Sequence, residues 1–253
     1  MKTKFIKSKS CMNKSKITDY VINPYIGCVH GCRYCYAVFM KKFMNIIENW
    51  GDFCYVKINC SELLEKELAD NKPGYIWMSS VTDCYNPLEE KYELTRKILD
   101  IISKSPYKKK FTIGILTKSA LVKRDFDLLK KLNCELGMSI NTLDKEFSRM
   151  IEPYASTPDE RIEVLKEAEK HGIIVYGFIS PVFLGITNLE ELFKKLSFCD
   201  YVWVELLNTK KSVVDRLLPV IKKNFLDKLE DFNFMINNPR DYFKRVKQDV
   251  TNL

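Results

Sequence analysis

The sequence predicts an α/β protein: a partial (β/α)6 TIM barrel over residues 17–208 with a helical C-terminal extension over 209–253. Three observations predict it. From Tyr75 onward, short β-branched runs alternate with amphipathic stretches, the pattern of β/α units around a parallel sheet. Capping and stop signals punctuate that alternation in a repeated order. The chain has 253 residues, 46% hydrophobic and 29% charged, enough for one well-buried domain of catalytic size and too little for two.

The strand runs are YIWMSS at 75–80, FTIGILT at 111–117, ELGMSI at 135–140, IIVYGFIS at 173–180 and YVWVELL at 201–207; a further strand ending near Tyr25 makes six. Asn86, Pro87 and Glu89 read as a cap, a proline at the first helical position and a capping-box acid. Thr157, Pro158 and Glu160 repeat the device, and Asn188 with Glu191 does so a third time. His171 followed by Gly172 reads as a helix C-terminus, with the glycine left-handed before the next strand. After Leu207 about 45 residues read as helix, broken or kinked at Pro219 and near Pro239. No linker, low-complexity segment or further repeat interrupts the units.

The formal net charge is +8. Residues 1–16 hold six lysines and no acid, so the rest of the chain carries only +2. They read as a basic N-terminal arm, either solvated and mobile or an anchor for nucleic acid. No apolar run approaches the roughly 18 residues of a membrane span, and the N-terminus lacks the apolar stretch of a signal peptide. A soluble, cytoplasmic protein with no membrane partner is expected. Nine cysteines in that setting argue against a disulfide framework, and metal binding is the first alternative.

Cys28, Cys32 and Cys35 have C-x3-C-x2-C spacing on a loop between the first strand and a stretch, FMKKFMNIIENW, that reads as helix. A structural zinc site wants four ligands, usually two pairs, and no second pair stands at such a spacing. Three thiolates on one short loop suit a [4Fe-4S] cluster with three irons bound by cysteine and the fourth left open for reaction. His30, between two ligands, reads as a residue that shapes the loop or hydrogen-bonds a sulfide. Cys11, Cys54, Cys60, Cys134 and Cys199 show no cluster spacing and read as core or incidental thiols.

At this loop the chain resembles the radical S-adenosylmethionine (radical SAM) superfamily, with Tyr34 as the aromatic residue before the third cysteine. NPYIGCVHGCRYCYA, SSVTDCYNPLE, ILTKSALVKRD, RMIEPYASTPDERIEVLKEAEKHGI and SPVFLGIT further resemble the spore photoproduct lyase-related group, over residues 22 to about 208. The resemblance implies a barrel of the radical SAM type that uses a [4Fe-4S] cluster and S-adenosylmethionine. It implies reductive cleavage to a 5′-deoxyadenosyl radical that abstracts a substrate hydrogen, and a reducing partner such as flavodoxin or ferredoxin. The cofactor does the hard chemistry, and the protein orients it and excludes water.

Reactive groups of a β/α barrel sit at the C-terminal ends of strands, which ranks the remaining candidates. The resemblance places Ser79, Ser80, Thr82 and Asp83 at the methionine amino group, and Lys118 at the cofactor carboxylate; helix capping and solvent exposure are the plainer readings. Ser139 and Asn141 are candidates for the ribose hydroxyls. Glu152 and Arg161 are either further polar contacts or a buried ion pair that fixes the loop. Ser180 and the Gly185-Ile186 turn resemble the adenine-packing segment, and Glu205 and Asn208 close the sixth strand toward the substrate. Cys84 stands where relatives usually have proline, and is either a hydrogen-atom donor at the mouth or ordinary drift.

Three functions are compatible with these residues. One is a radical SAM enzyme acting on nucleic acid, by lesion repair or modification. Positive charge at its mouth would come from Arg33, Lys118, Lys123, Arg124, Lys210 and Lys211, because Lys108, Lys109 and Lys110 precede a strand and belong to the far face. The second modifies a peptide, protein or small metabolite. The third is a non-catalytic iron-sulfur or zinc protein.

Overall fold

The structure is a computed structural model that describes residues 1–253. Its strands are β1 (Lys2–Ile6), β2 (Met12–Lys14), β3 (Tyr20–Ile22), β4 (Tyr25–Ile26), β5 (Phe53–Lys57), β6 (Gly74–Met78), β7 (Phe111–Thr117), β8 (Cys134–Ser139), β9 (Ile174–Val182) and β10 (Tyr201–Leu206). The α-helices are α1 (Met40–Phe43), α2 (Cys60–Asp70), α3 (Glu89–Tyr92), α4 (Leu94–Lys104), α5 (Phe126–Leu129), α6 (Lys145–Ile151), α7 (Pro158–Lys170), α8 (Leu189–Lys195), α9 (Lys211–Asn224), α10 (Leu229–Asn237) and α11 (Pro239–Thr251).

β3, β6, β7, β8, β9 and β10 lie side by side in that order, each parallel to the next. The chain thus winds one way through six β/α units, and β10 and the short antiparallel β2 form the two edges of an open barrel wall. Apolar residues of the strands and of α4, α7 and α9 form one main core. Thr157 and Glu160 make the expected capping box on α7, Asn188 caps α8, and Gly172 takes a φ of +72° after His171. Pro239 starts α11.

Several expectations change. The arm is structured: β1 pairs parallel with β5, β2 pairs with β3, and Cys11 forms a disulfide with Cys60 at the start of α2. Lysines at alternate strand positions keep their charged ends in water while the backbone pairs, so charge did not preclude a strand. The first strand of the barrel ends at Ile22, and Tyr25–Ile26 belongs to a second sheet of order β1-β5-β4. β5 and α2 were not anticipated. The stretch after the cysteines is a 3-10 turn (Tyr36–Phe39) and one helical turn, stopped where Asn45 adopts φ 50° and sends Ile46 inward beside Trp50.

Asn86 and Glu89 do not form a capping box. Glu89 is fully buried, and its carboxylate accepts the amides of Thr95 and Arg96 at the start of the following helix, α4. Arg124 and the Tyr25 hydroxyl complete its shell. Pro219 leaves α9 unbroken, because Val213, Leu217 and Ile221 bury one face on both sides of it; the break comes at Phe225.

Candidate functional site

The cysteine loop follows β4 and lies over the C-terminal ends of the barrel strands. Two glycines make room for it. Gly27 has φ +86°, and a Cβ there would stand 2.5 Å from the Phe53 ring; Gly51 has φ +101° and a Cβ would meet Gly31 at 2.9 Å. The amide of Arg33 donates to Ile151 O at 2.8 Å, and Arg216 donates to the carbonyls of Cys32 and Cys35 at 2.8 and 3.5 Å. Arg216 lies on α9, so the C-terminal extension is part of the loop's support.

Cys28 and Cys32 are buried, Cys35 is half-buried, and all three are free thiols. Burial pushes each of them up, Cys32 to about 12, while Lys118 opposes the shift at Cys32 and Cys35. No three side chains converge as a single metal ion would require. A cluster whose three irons each take one thiolate makes no such demand. Two buried nitrogens beside these thiols lack partners: His30 Nε2 and Trp50 Nε1. The Trp50 indole acts on Cys35 to lower its pKa, which places its N–H toward the sulfur. An orphaned indole N–H beside soft ligands is what a sulfur of an iron-sulfur cluster accepts, so this residue set fits such a group. We expect Trp50→Phe to make the reduction potential of the reconstituted cluster more negative, read by a redox titration followed by electron paramagnetic resonance; an unchanged potential would assign Trp50 to packing alone.

Ser79, Ser80, Thr82 and Asp83 follow β6, as expected. The structure divides them. Thr82 donates to Gly27 O at 2.6 Å. Asp83 accepts from Thr117 Oγ1 at 2.7 Å, Tyr85 N at 2.8 Å and Lys118 N at 3.0 Å, with His30 Nδ1 3.3 Å away. Burial works to raise its carboxyl, but His30 and these hydrogen bonds outweigh burial and hold it at about 2. Thr82 and Asp83 therefore tie the cysteine loop to β7. Ser79 is left: its φ is 76°, and its buried Oγ has no partner. Ser80 O accepts the Tyr36 hydroxyl, and the Ser80 and Val81 amides bind Asn23 Oδ1.

Tyr34, Asn141, Glu152 and Arg161 meet in one buried network. The Tyr34 hydroxyl and Arg161 both donate to Glu152, and Asn141 Nδ2 reaches Glu152 Oε1 at 3.1 Å and the Tyr34 oxygen at 3.2 Å. Arg161 also donates to Ser139 O at 2.7 Å and Ser156 O at 2.8 Å. The Glu152 and Arg161 side chains are 0% and 1% exposed, with every charged atom engaged by protein. Of the two readings the ion pair holds: it clamps the loop through Tyr34. Lys118 is half-buried, its Nζ 5.6 Å from the Tyr34 ring centroid, and it has no carboxylate partner of its own.

Ser139 Oγ donates to Ser180 O at 3.3 Å, and Ser180 Oγ to Glu205 at 3.2 Å, so these residues line adjoining strand ends. Ile186 packs half-buried on the main core. Cys84 is corrected most clearly. It is 0% exposed within the main core, where burial pushes the thiol well up, and it is not at the mouth. The bond from Tyr85 N to Asp83 turns the chain inward there. Lys123, Arg124 and Lys211 pair with Glu167, Glu89 and Asp215, which leaves Arg33, Lys118 and Lys210 as free cations of the set expected at the mouth. Trp50, Arg216 and Asn23 had no local signal in the sequence, because each acts across a long separation.

The barrel's inner face is aromatic. Tyr75 and Tyr201 hydroxyls donate to Glu135 at 2.9 and 3.0 Å, and Tyr176 stacks on Tyr201 at 4.9 Å. These residues come from β6, β8, β9 and β10, so they face one another inside the wall. Trp77, Phe178 and Trp203 share their strand faces two residues further on. A cavity of about 470 Å³ is lined by Glu135, Tyr201, Val202 and Trp203.

An open six-stranded parallel wall with three free thiols at its C-terminal end defines a cofactor-dependent enzyme of the partial-barrel class. The Radical SAM superfamily profile matches residues 22–196, and the chain belongs to that superfamily, whose members use a [4Fe-4S] cluster and S-adenosylmethionine. It is 37% identical over 251 residues to an uncharacterized protein of Methanocaldococcus jannaschii, covering 98% of this chain and 91% of the relative. An uncharacterized protein of Acidianus two-tailed virus is 34% identical over 182 residues, 68% of this chain and 58% of that one. Among solved structures, a spore photoproduct lyase mutant with bound AdoMet and dinucleoside spore photoproduct superposes with a TM-score of 0.64 at 16% identity. That match covers 87% of this chain and 66% of the lyase, and at this identity it shows the fold. No helix is long and apolar enough to cross a membrane.

Proposed function

We propose that Cys28, Cys32 and Cys35 hold a [4Fe-4S] cluster and that the enzyme acts on a nucleic acid, by modification or by repair of the spore photoproduct lyase kind. The observation that carries the cluster assignment is the loop of three free thiols with the unpartnered Trp50 indole nitrogen at Cys35. When bound, the cluster and S-adenosylmethionine supply reductive cleavage to a carbon radical able to abstract hydrogen, with the electron from a flavodoxin- or ferredoxin-type partner. Lys118, cationic and without a carboxylate partner, binds the carboxylate of S-adenosylmethionine. Ser79 Oγ and Ser80, beside it, receive its amino group. The Tyr34–Glu152–Arg161 clamp keeps the loop in place, and the buried strand ends exclude water.

The substrate reading is supported by the aromatic inner face, which suits a planar group. The absence of a cation there, with Glu135 and Glu205 present, favours a second reading in one respect: a neutral or cationic peptide side chain or metabolite would also be accepted. Product analysis after incubation of the reduced enzyme with S-adenosylmethionine and either oligonucleotide or peptide pools decides between them.

Lys118→Ala is expected to weaken S-adenosylmethionine binding by about 1.5–3 kcal/mol, the range for a hydrogen bond to a charged group, with cluster content unchanged. Isothermal titration on reconstituted protein measures it, and an unaltered dissociation constant would leave Lys118 without this role.

A further inference from the structure

Directly after the third cysteine, Tyr36, Phe39 and Phe43 form a row of rings on the protein surface. Their centroids are 6.4 and 5.8 Å apart, and they are 49%, 42% and 74% exposed. Large aromatic residues are ordinarily the first to be buried, so three in succession left in water mark a contact surface. The row has a direction. Its first ring is fixed at the site, where the Tyr36 hydroxyl donates to Ser80 O and lies within electrostatic reach of Glu205 at the end of β10. The other two follow it along the 3-10 turn and α1.

The charge around the row is positive. Lys41 and Lys42 lie within it, Arg33 precedes it, and none of the three is in an ion pair. The folded arm brings Lys4 over the Tyr55 ring beside the same segment, while Lys2 there is neutralised by Glu48. The inner face of the barrel holds carboxylates, so phosphates of a bound strand would have to lie outside it. Tyr36, Phe39 and Phe43 are an exposed aromatic row with unpaired cations beside it.

We infer that Tyr36, Phe39 and Phe43 form a stacking platform for a single-stranded nucleic acid, with Lys41, Lys42 and Arg33 on its phosphates. The inference rests on the nucleic-acid reading of the site and narrows it to an unpaired strand. Bases stack on exposed rings without regard to sequence, and an adjacent cationic track holds the backbone. A base paired within a duplex has no free face to offer a ring.

The test uses full-length reconstituted protein, fluorescein-labelled 12-mers of mixed-sequence DNA and RNA, single-stranded and duplex, and fluorescence anisotropy over a series of salt concentrations. Single strands should bind more tightly than duplexes, with affinity falling as salt rises. Phe39→Ala and Phe43→Ala should each weaken single-strand binding by about tenfold, and Phe43→Trp should restore it. Both side chains are exposed, so cluster iron and the slow cleavage of S-adenosylmethionine without substrate should match the unaltered protein. Equal binding of duplex, or an unchanged affinity in the Phe39→Ala/Phe43→Ala double variant, overturns the platform while cleavage shows that the radical chemistry stands. Loss of cleavage in the unaltered protein would instead count against the proposed function. If the double variant binds oligonucleotides normally but is reduced more slowly by flavodoxin and not by dithionite, the row belongs to the reductant and the inference fails.

Discussion

Replacing Cys28, Cys32 and Cys35 together by Ala is expected to abolish both iron binding and cleavage of S-adenosylmethionine. These are the thiols of a single loop, and the remaining cysteines are dispersed: Cys54, Cys84 and Cys134 are buried, Cys199 lies in the turn before β10, and Cys11 and Cys60 are joined. Anaerobically reconstituted protein should lose its acid-labile sulfide and its visible absorbance, and no 5′-deoxyadenosine should be detected by chromatography after dithionite reduction. Each single substitution should remove most of the cluster, because two thiolates leave a second iron without a protein ligand. Full iron and sulfide content in the triple variant would require different ligands, and none is grouped elsewhere.

The second large effect concerns the clamp. Removing one member of the buried Glu152–Arg161 pair leaves the other charged, desolvated and without its partner, at a cost of about 3–5 kcal/mol. For a chain of this size that corresponds to a fall of about 6–20 °C in melting temperature. Arg161→Ala should show it in the cluster-free protein by calorimetry, where a residue whose role was to contact a cofactor would show little. A Glu152→Gln/Arg161→Met double variant, with no buried charge, should recover part of the loss. Equal stability of Arg161→Ala and the parent would return both residues to the list of cofactor contacts.

The cluster loop, the six β/α units and the capped helices α7 and α8 were legible because their signals are local. Cysteine spacing, strand-length apolar runs and Thr-Pro-x-Glu each act within a few residues, and tertiary packing agreed with them. The sequence by itself determined the superfamily, the loop of three free thiols and the open parallel wall. It also placed Ser79 and Lys118 at strand ends, where the Ser79 hydroxyl and the Lys118 ammonium have no hydrogen-bond partner in the folded chain.

Only the tertiary structure decided the rest, and in each case the deciding partner is distant in sequence. Lys2–Ile6 is a strand because β5 offers a free edge, and nothing within the arm records that edge. Glu89 looks like a capping acid for its own helix but turns to α4, where two free amides, Arg124 and Tyr25 compensate its buried charge better than water-exposed capping would. Asp83 and Glu152 have the residue type and the position of cofactor ligands. They serve the loop because His30 and Lys118 N–H meet one, and Arg161 and Tyr34 meet the other, at hydrogen-bond range. Cys84 follows the same logic in reverse: one residue past Asp83 along an inward turn, its side chain enters the core. A strand-end position tells which residues reach the top of the barrel. Which way each side chain then points depends on donors and acceptors contributed by other units, and these meet only when the chain has folded.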